Sequence, residues 1–112
     1  MADVDVTTQE ISRGGITPSY AAGSASNTYH LPNDGRTYLH FKKTGAGACN
    51  VTIQTPGTVD SQAVADRVVQ VPATTGDKKI GPFPRDVYND GSGELVFTLS
   101  EATGLTFGAF RF

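Results

Sequence analysis

From residue 36 onward, apolar side chains return at every second position rather than every third or fourth, and most of them are β-branched or aromatic. That period marks strands with one buried face. Residues 36 to 42 set Thr37, Leu39 and Phe41 on one face and Tyr38, His40 and Lys42 on the other, so Leu39 and Phe41 are expected to enter a core. Residues 49 to 54 send Val51 and Ile53 inward; residues 94 to 99 do the same with Leu95, Phe97 and Leu99, and residues 105 to 111 with Leu105, Phe107 and Ala109. Short strands are also expected at 67 to 71, closed by Pro72, and around Lys78, Lys79 and Ile80.

Between these runs stand turn residues. Pro32, Asn33, Asp34 and Gly35 form one turn, and residues 89 to 93 another. The Gly-rich stretch 44 to 48 predicts a hairpin between the strands at 36 and 49, and residues 100 to 104 predict a second hairpin between the last two strands. Residues 55 to 66 read as a long loop with one helical turn around 61 to 64. Phe83, held extended between Pro82 and Pro84, is expected to pack under that end of the domain. With about six to eight short strands at spacings of roughly 8 to 12 residues, the expected fold is all-β: a single small antiparallel β-sandwich or barrel, jelly-roll-like, over residues 29 to 112.

Residues 1 to 28 break the pattern. Residues 3 to 7 alternate and suit an edge strand, but residues 14 to 27 are rich in Gly, Ser, Ala and Thr and have no period. Ile11, Ile16, Pro18 and Tyr20 are isolated apolar points in this background. The segment is expected to be an extended N-terminal arm. Either it docks on another molecule through Ile11, Ile16 and Tyr20, or it folds back along its own domain with Ile11 and Tyr20 filling gaps.

Composition narrows the function. A chain of 112 residues holds one core, and 38% hydrophobic content with six Phe, four Tyr and no Trp makes it a thin one. Nine basic and eleven acidic side chains give a net charge of −2, with the basic ones scattered, so no stripe for nucleic acid is present. No apolar run reaches the ~20 residues of a membrane span, and the first residues do not read as a signal peptide. The expected chain is soluble, made in the cytoplasm, and binds neither nucleic acid nor membrane. Cys49 has no partner for a disulfide and is expected to be a small packed apolar residue.

Candidate chemistry is sparse. His30 and His40, with Asp34, are the obvious start of a zinc or copper site, but no His-x-His spacing supports one, and both histidines are expected on the surface. Residues 86 to 94 resemble a calcium loop, yet Glu94 follows Gly91 by too few positions, so an Asx-type turn is expected. Asp60, Asp66, Asp77, Asp86, Asp90 and Glu94 fall in or beside loops, as solvated carboxylates do. No serine lies in a Gly-x-Ser-x-Gly elbow, the loop of Gly45 and Gly47 opens no helix, and the sequon at Asn50 has meaning only on a secretory route. The chain is expected not to be an enzyme, with no catalytic residues, cofactor or metal.

Two blocks, Pro32-Asn33-Asp34-Gly35-Arg36-Thr37-Tyr38-Leu39-His40 and Ile80-Gly81-Pro82-Phe83-Pro84 with Tyr88-Asn89-Asp90 after it, resemble a group of small tailed-phage proteins encoded beside the major capsid protein. Val51-Thr52-Ile53 and Val69-Gln70-Val71-Pro72-Ala73 continue the likeness, which spans residues 30 to 112. The resemblance implies a head decoration, or cement, protein: a non-enzymatic β-rich module on the capsid exterior of the virion. It further implies binding to the major capsid protein, self-association as a homotrimer, and no catalytic residues. Neck, tail or fibre components share this character. A small β-sandwich module for carbohydrate or host attachment is the alternative, with Tyr29, Tyr38 and Tyr88 as its aromatic platform.

Overall fold

The computed structural model describes residues 2–112. It has twelve short strands and one helical turn: β1 (Ala2–Asp5), β2 (Thr8–Glu10), β3 (Ala21–Ala22), β4 (Asn27–Pro32), β5 (Thr37–Lys43), β6 (Cys49–Ile53), β7 (Thr58–Val59), β8 (Gln62–Ala63), β9 (Arg67–Val71), β10 (Gly76–Ile80), α1 (Arg85–Tyr88), β11 (Glu94–Leu99) and β12 (Leu105–Arg111). One sheet runs β1-β4-β11-β6-β9; the other runs β10-β5-β12-β2, with β3 also on β12. The two ladders are separate, so the domain is a sandwich and not a closed barrel.

The inward faces are those the alternation predicts. Leu31, Leu95, Phe97, Val51, Ile53 and Val71 are fully buried from the first sheet, and Leu39, Phe41 and Ala109 from the second. Four rings lock the layers together: Phe97 stacks on Tyr29 at 5.1 Å between centroids and meets Phe41 and Phe107 edge-on at 5.8 and 5.7 Å. Tyr29 and Phe97 belong to one sheet, Phe41 and Phe107 to the other. Edge-to-face and offset pairs of this kind add to the burial of their area. Cys49 is buried in the same core, as a packed apolar residue, and Phe83 is buried as expected.

Strand pairing departs from expectation in three places. Neither expected hairpin forms: β5 pairs β10 and β12, whereas β6 pairs β9 and β11, and β11 and β12 lie in different sheets. Each Gly-containing loop instead carries the chain from one sheet to the other. The two loops then stack, Thr44 N–H donating to the Gly104 carbonyl at 3.0 Å. A side chain at Gly45 would collide with the carbonyl oxygen of Thr103, and Gly104 has φ +66°, so glycine is required at both. Second, residues 61–64 are not helical. Asp60 and Ser61 have φ of 53° and 63°, the two-residue turn that closes the small β7–β8 hairpin. Third, the sheets are mixed and not wholly antiparallel, because β1 runs parallel to β4 and β2 parallel to β12.

That last departure corrects the extended arm. Residues 2–28 fold back along the domain, β1 on the edge of the first sheet and β2 and β3 on the edge of the second. The crossing between sheets is fixed by Val6 N–H donating to the His30 carbonyl at 2.7 Å, and the second contact by Ile11 N–H donating to the Arg111 carbonyl at 2.8 Å. Val4 and Val6 pack against the core. Of the readings open in the sequence, the structure takes the one in which the arm covers its own sheet edges.

Candidate interaction surface

The outward face of the second sheet carries an unusual share of aromatic groups. Alternation puts Tyr38, His40 and Lys42 there from β5, and Phe110 from β12. Tyr38 stacks on Phe110 at 5.5 Å, and Phe112 lies tilted to Tyr38 at 5.7 Å. Phe112 is 66% exposed, the most exposed large apolar side chain among the described residues. Tyr38 and Phe112, with Arg36, Lys79, Ile80 and Pro82, line an open groove of about 630 Å³.

The arm covers the other half of this face. Ser19 and Tyr20 cross above Gly108, where a side chain would strike the Ser19 carbonyl at 2.9 Å, so the glycine allows the close approach. Gln9 and Ser19 clamp this segment, the Ser19 N–H donating to Gln9 Oε1 at 2.9 Å and Gln9 Nε2 donating to the Ser19 carbonyl at 2.8 Å. Tyr20 packs against Phe110 at 5.9 Å and meets His40 edge-on, and Lys42 Nζ sits 4.4 Å above its ring. Its hydroxyl lies 2.9 Å from His40 Nδ1, and His40 Nε2 lies 2.5 Å from Asp77 Oδ1. The hydrogen bond from His40 holds the Asp77 carboxyl below its ordinary range. Hydroxyl, imidazole and carboxylate follow one another as in a nucleophilic triad, but the hydroxyl is a phenol, and the line ties the arm to the sheet.

Each candidate residue now has a place. His40 is 8% exposed beneath Tyr20 and is not a surface histidine. Of the three arm residues, Ile11 and Tyr20 are half-buried on their own domain, whereas Ile16 is exposed in the loop between β2 and β3. Tyr29 is a core residue, its hydroxyl accepting from the Ser24 N–H at 2.8 Å, so it belongs to no surface platform. Tyr38 is on the groove; Tyr88 lies edge-on to Phe83, with Arg67 Nε donating to its hydroxyl. Asp34 does not join the two histidines: it pairs with Arg36 and Arg111, and the Arg36 backbone N–H lowers its pKa. Asp90 forms the expected Asx turn, accepting from the N–H groups of Ser92 and Glu94 at 2.8 and 3.0 Å.

Two arrangements go beyond the sequence reading. Lys43 is 1% exposed, yet its ammonium reaches Glu101 Oε2 at 2.6 Å and the Thr103 carbonyl at 2.5 Å. It continues the inward series Thr37, Leu39, Phe41, so the alternation pointed to it, and its long stem lets the charge leave the core at the sandwich end. The pairing with Lys43, aided by Thr103, pulls the Glu101 carboxyl down to about 2. Second, β4–β11 pairing brings His30 beside Asp90 and Glu94, a conjunction across about sixty positions of chain that no local spacing announces. Compared with known protein families, curated proteins and solved structures, the chain matches none.

Proposed function

We propose that this chain is a non-enzymatic structural protein of a phage virion, decorating and stabilising the outside of the capsid by binding the major capsid protein as a homotrimer. The resemblance carried by residues 30 to 112 is what suggests this family. The observation that supports a binding role is the aromatic groove of Tyr38, Pro82 and Phe112, rimmed by the cations Arg36 and Lys79. Exposed aromatic groups flanked by charges are the usual anchors of protein interfaces. Ile16 offers a second, separate apolar point on the arm loop. A small rigid sandwich suits repeated attachment, because modest contact at each copy is multiplied when a multimer engages several shell subunits at once.

The test is binding to capsid shells that lack the protein, followed by sedimentation and quantification of bound copies. Saturation at a fixed number per shell is expected, with Phe112→Ala weakening it at least tenfold while leaving the fold intact. Absence of saturable binding to shells would overturn the reading. Tyr38 beside an open groove also supports the second reading, a module for carbohydrate or host attachment. Glycan binding that is lost in Tyr38→Ala, with no affinity for shells, would select it.

A further inference from the structure

We infer that His30, Asp90 and Glu94 form a binding site for a first-row divalent metal ion of the zinc class, with Asp3 of the N-terminal arm standing behind its histidine. The three side chains each offer a ligand atom, and these atoms lie within 4.8 Å of one another. In a tetrahedral zinc site the metal bonds are about 2.0–2.2 Å, which puts neighbouring ligand atoms about 3.3–3.6 Å apart. From 4.8 Å at its widest, the cluster needs to close by about 1.2–1.5 Å to meet that geometry. One imidazole nitrogen and two carboxylate oxygens leave a fourth position for water, and the nitrogen favours zinc over calcium or magnesium.

The backbone holds all three groups in place. His30 is central in β4 and lies opposite Val96, which sets Glu94 on the same outward face one step along β11. Asp90 is fixed by the two N–H bonds to its Oδ1, neither of which uses Oδ2. The imidazole itself is flanked on both sides: Nδ1 faces Glu94 Oε1 at 3.8 Å and Nε2 faces Asp3 Oδ1 at 3.6 Å. Asp3 therefore stands where a metal-binding histidine normally finds the carboxylate that takes its other N–H and fixes the tautomer. Since Asp3 belongs to β1, its partnership with His30 adds a side-chain link to the parallel pairing that holds the arm. Both carboxylates stand beyond hydrogen-bond reach of the ring, so the site has room to tighten around an ion.

The experiment is calorimetric titration of the full chain with zinc chloride, alongside melts with zinc or with EDTA. One saturable site and a zinc-dependent rise in Tm are expected. His30→Ala and Glu94→Gln should each weaken binding at least about tenfold, and Asp3→Asn by a smaller factor. Each variant should melt like wild type in EDTA. Imidazole NMR of the unaltered protein gives a reading free of any folding defect: zinc should shift the His30 resonances and leave those of His40 in place. Three results would each overturn the site: no saturable zinc heat, undiminished binding in His30→Ala, or equal binding of calcium, which would reduce the cluster to an acidic patch.

Discussion

Truncating Phe97 tests the central claim about the core, that this ring is the hub of the four that lock the two sheets together. Phe97 is fully buried and has three ring neighbours within 5.8 Å, two of them from the opposite sheet. Large-to-small changes at buried phenylalanine cost about 3–5 kcal/mol, the spread depending on how far the site collapses. Here collapse requires the sheets to approach each other, which the crossing loops at 44–48 and 100–104 oppose through their mutual contacts. The upper half of the range is therefore expected, about 4 kcal/mol. For a domain of this size that lowers Tm by about 15 °C. The control is Phe112→Ala, the same chemical change at a side chain 66% exposed, for which surface behaviour predicts no more than about 0.5 kcal/mol. Thermal melts by circular dichroism, with urea melts to check that the m-value holds, give both numbers. If the two variants melt within about 3 °C of each other, the layer assignment of β11 and β12 is wrong.

Two further outcomes follow from the arm and the charges. Deleting residues 2–22 uncovers the edges of β4 and β12 together, so the truncated chain should melt lower and associate in a concentration-dependent way; a monomer by light scattering with unchanged Tm would mean the arm is merely laid on a complete domain. The carboxyl of Glu101 is depressed from 4.5 to about 2 by Lys43, and those of Asp34 and Asp77 are lowered from 3.8. A depressed carboxyl stabilises the fold above its unfolded pKa and loses that contribution as pH falls through the folded value. Tm should accordingly be flat from pH 6 to 5 and fall from about 4.5 towards 2, and Glu101→Gln should shrink that fall; an equally steep acid limb in Glu101→Gln would remove the Lys43 pair from the account.

The faces of the strands were legible in the sequence, and their partners were not. Alternation identified Leu39, Phe41, Val51, Ile53, Leu95, Phe97, Leu99, Leu105, Phe107 and Ala109 as inward, and all are buried. It says which side of a strand meets the core but is silent on which sheet the strand joins, because both sheets bury one face against the same core. Loop length does not separate the cases either. Five extended residues reach about 16 Å, enough for the 4.8 Å step to a neighbouring strand and equally for the 10 Å step to the facing sheet. The glycines at 45 and 104 look like hairpin turn formers in the sequence, whereas in the fold they allow two crossing loops to touch backbone to backbone.

The same blindness to pairing hid the site at His30. Within its own loop Glu94 does not fit a calcium pattern, whose ligands come from one continuous segment. The group that changes its chemistry lies on β4, and only the antiparallel register of His30 with Val96 brings it alongside. A hairpin of β11 with β12, which the local turn residues favour, would leave β4 on another edge and His30 away from Glu94. Arm and site were hidden for a common reason. Residues 3 to 7 had the alternation of an edge strand, but a parallel partner twenty-five positions later leaves no turn to mark it, and with β1 unplaced Asp3 had no neighbour. Spacing rules find sites built within a strand or loop, and in a sandwich whose successive strands change sheets, side chains that meet on one face come from distant positions.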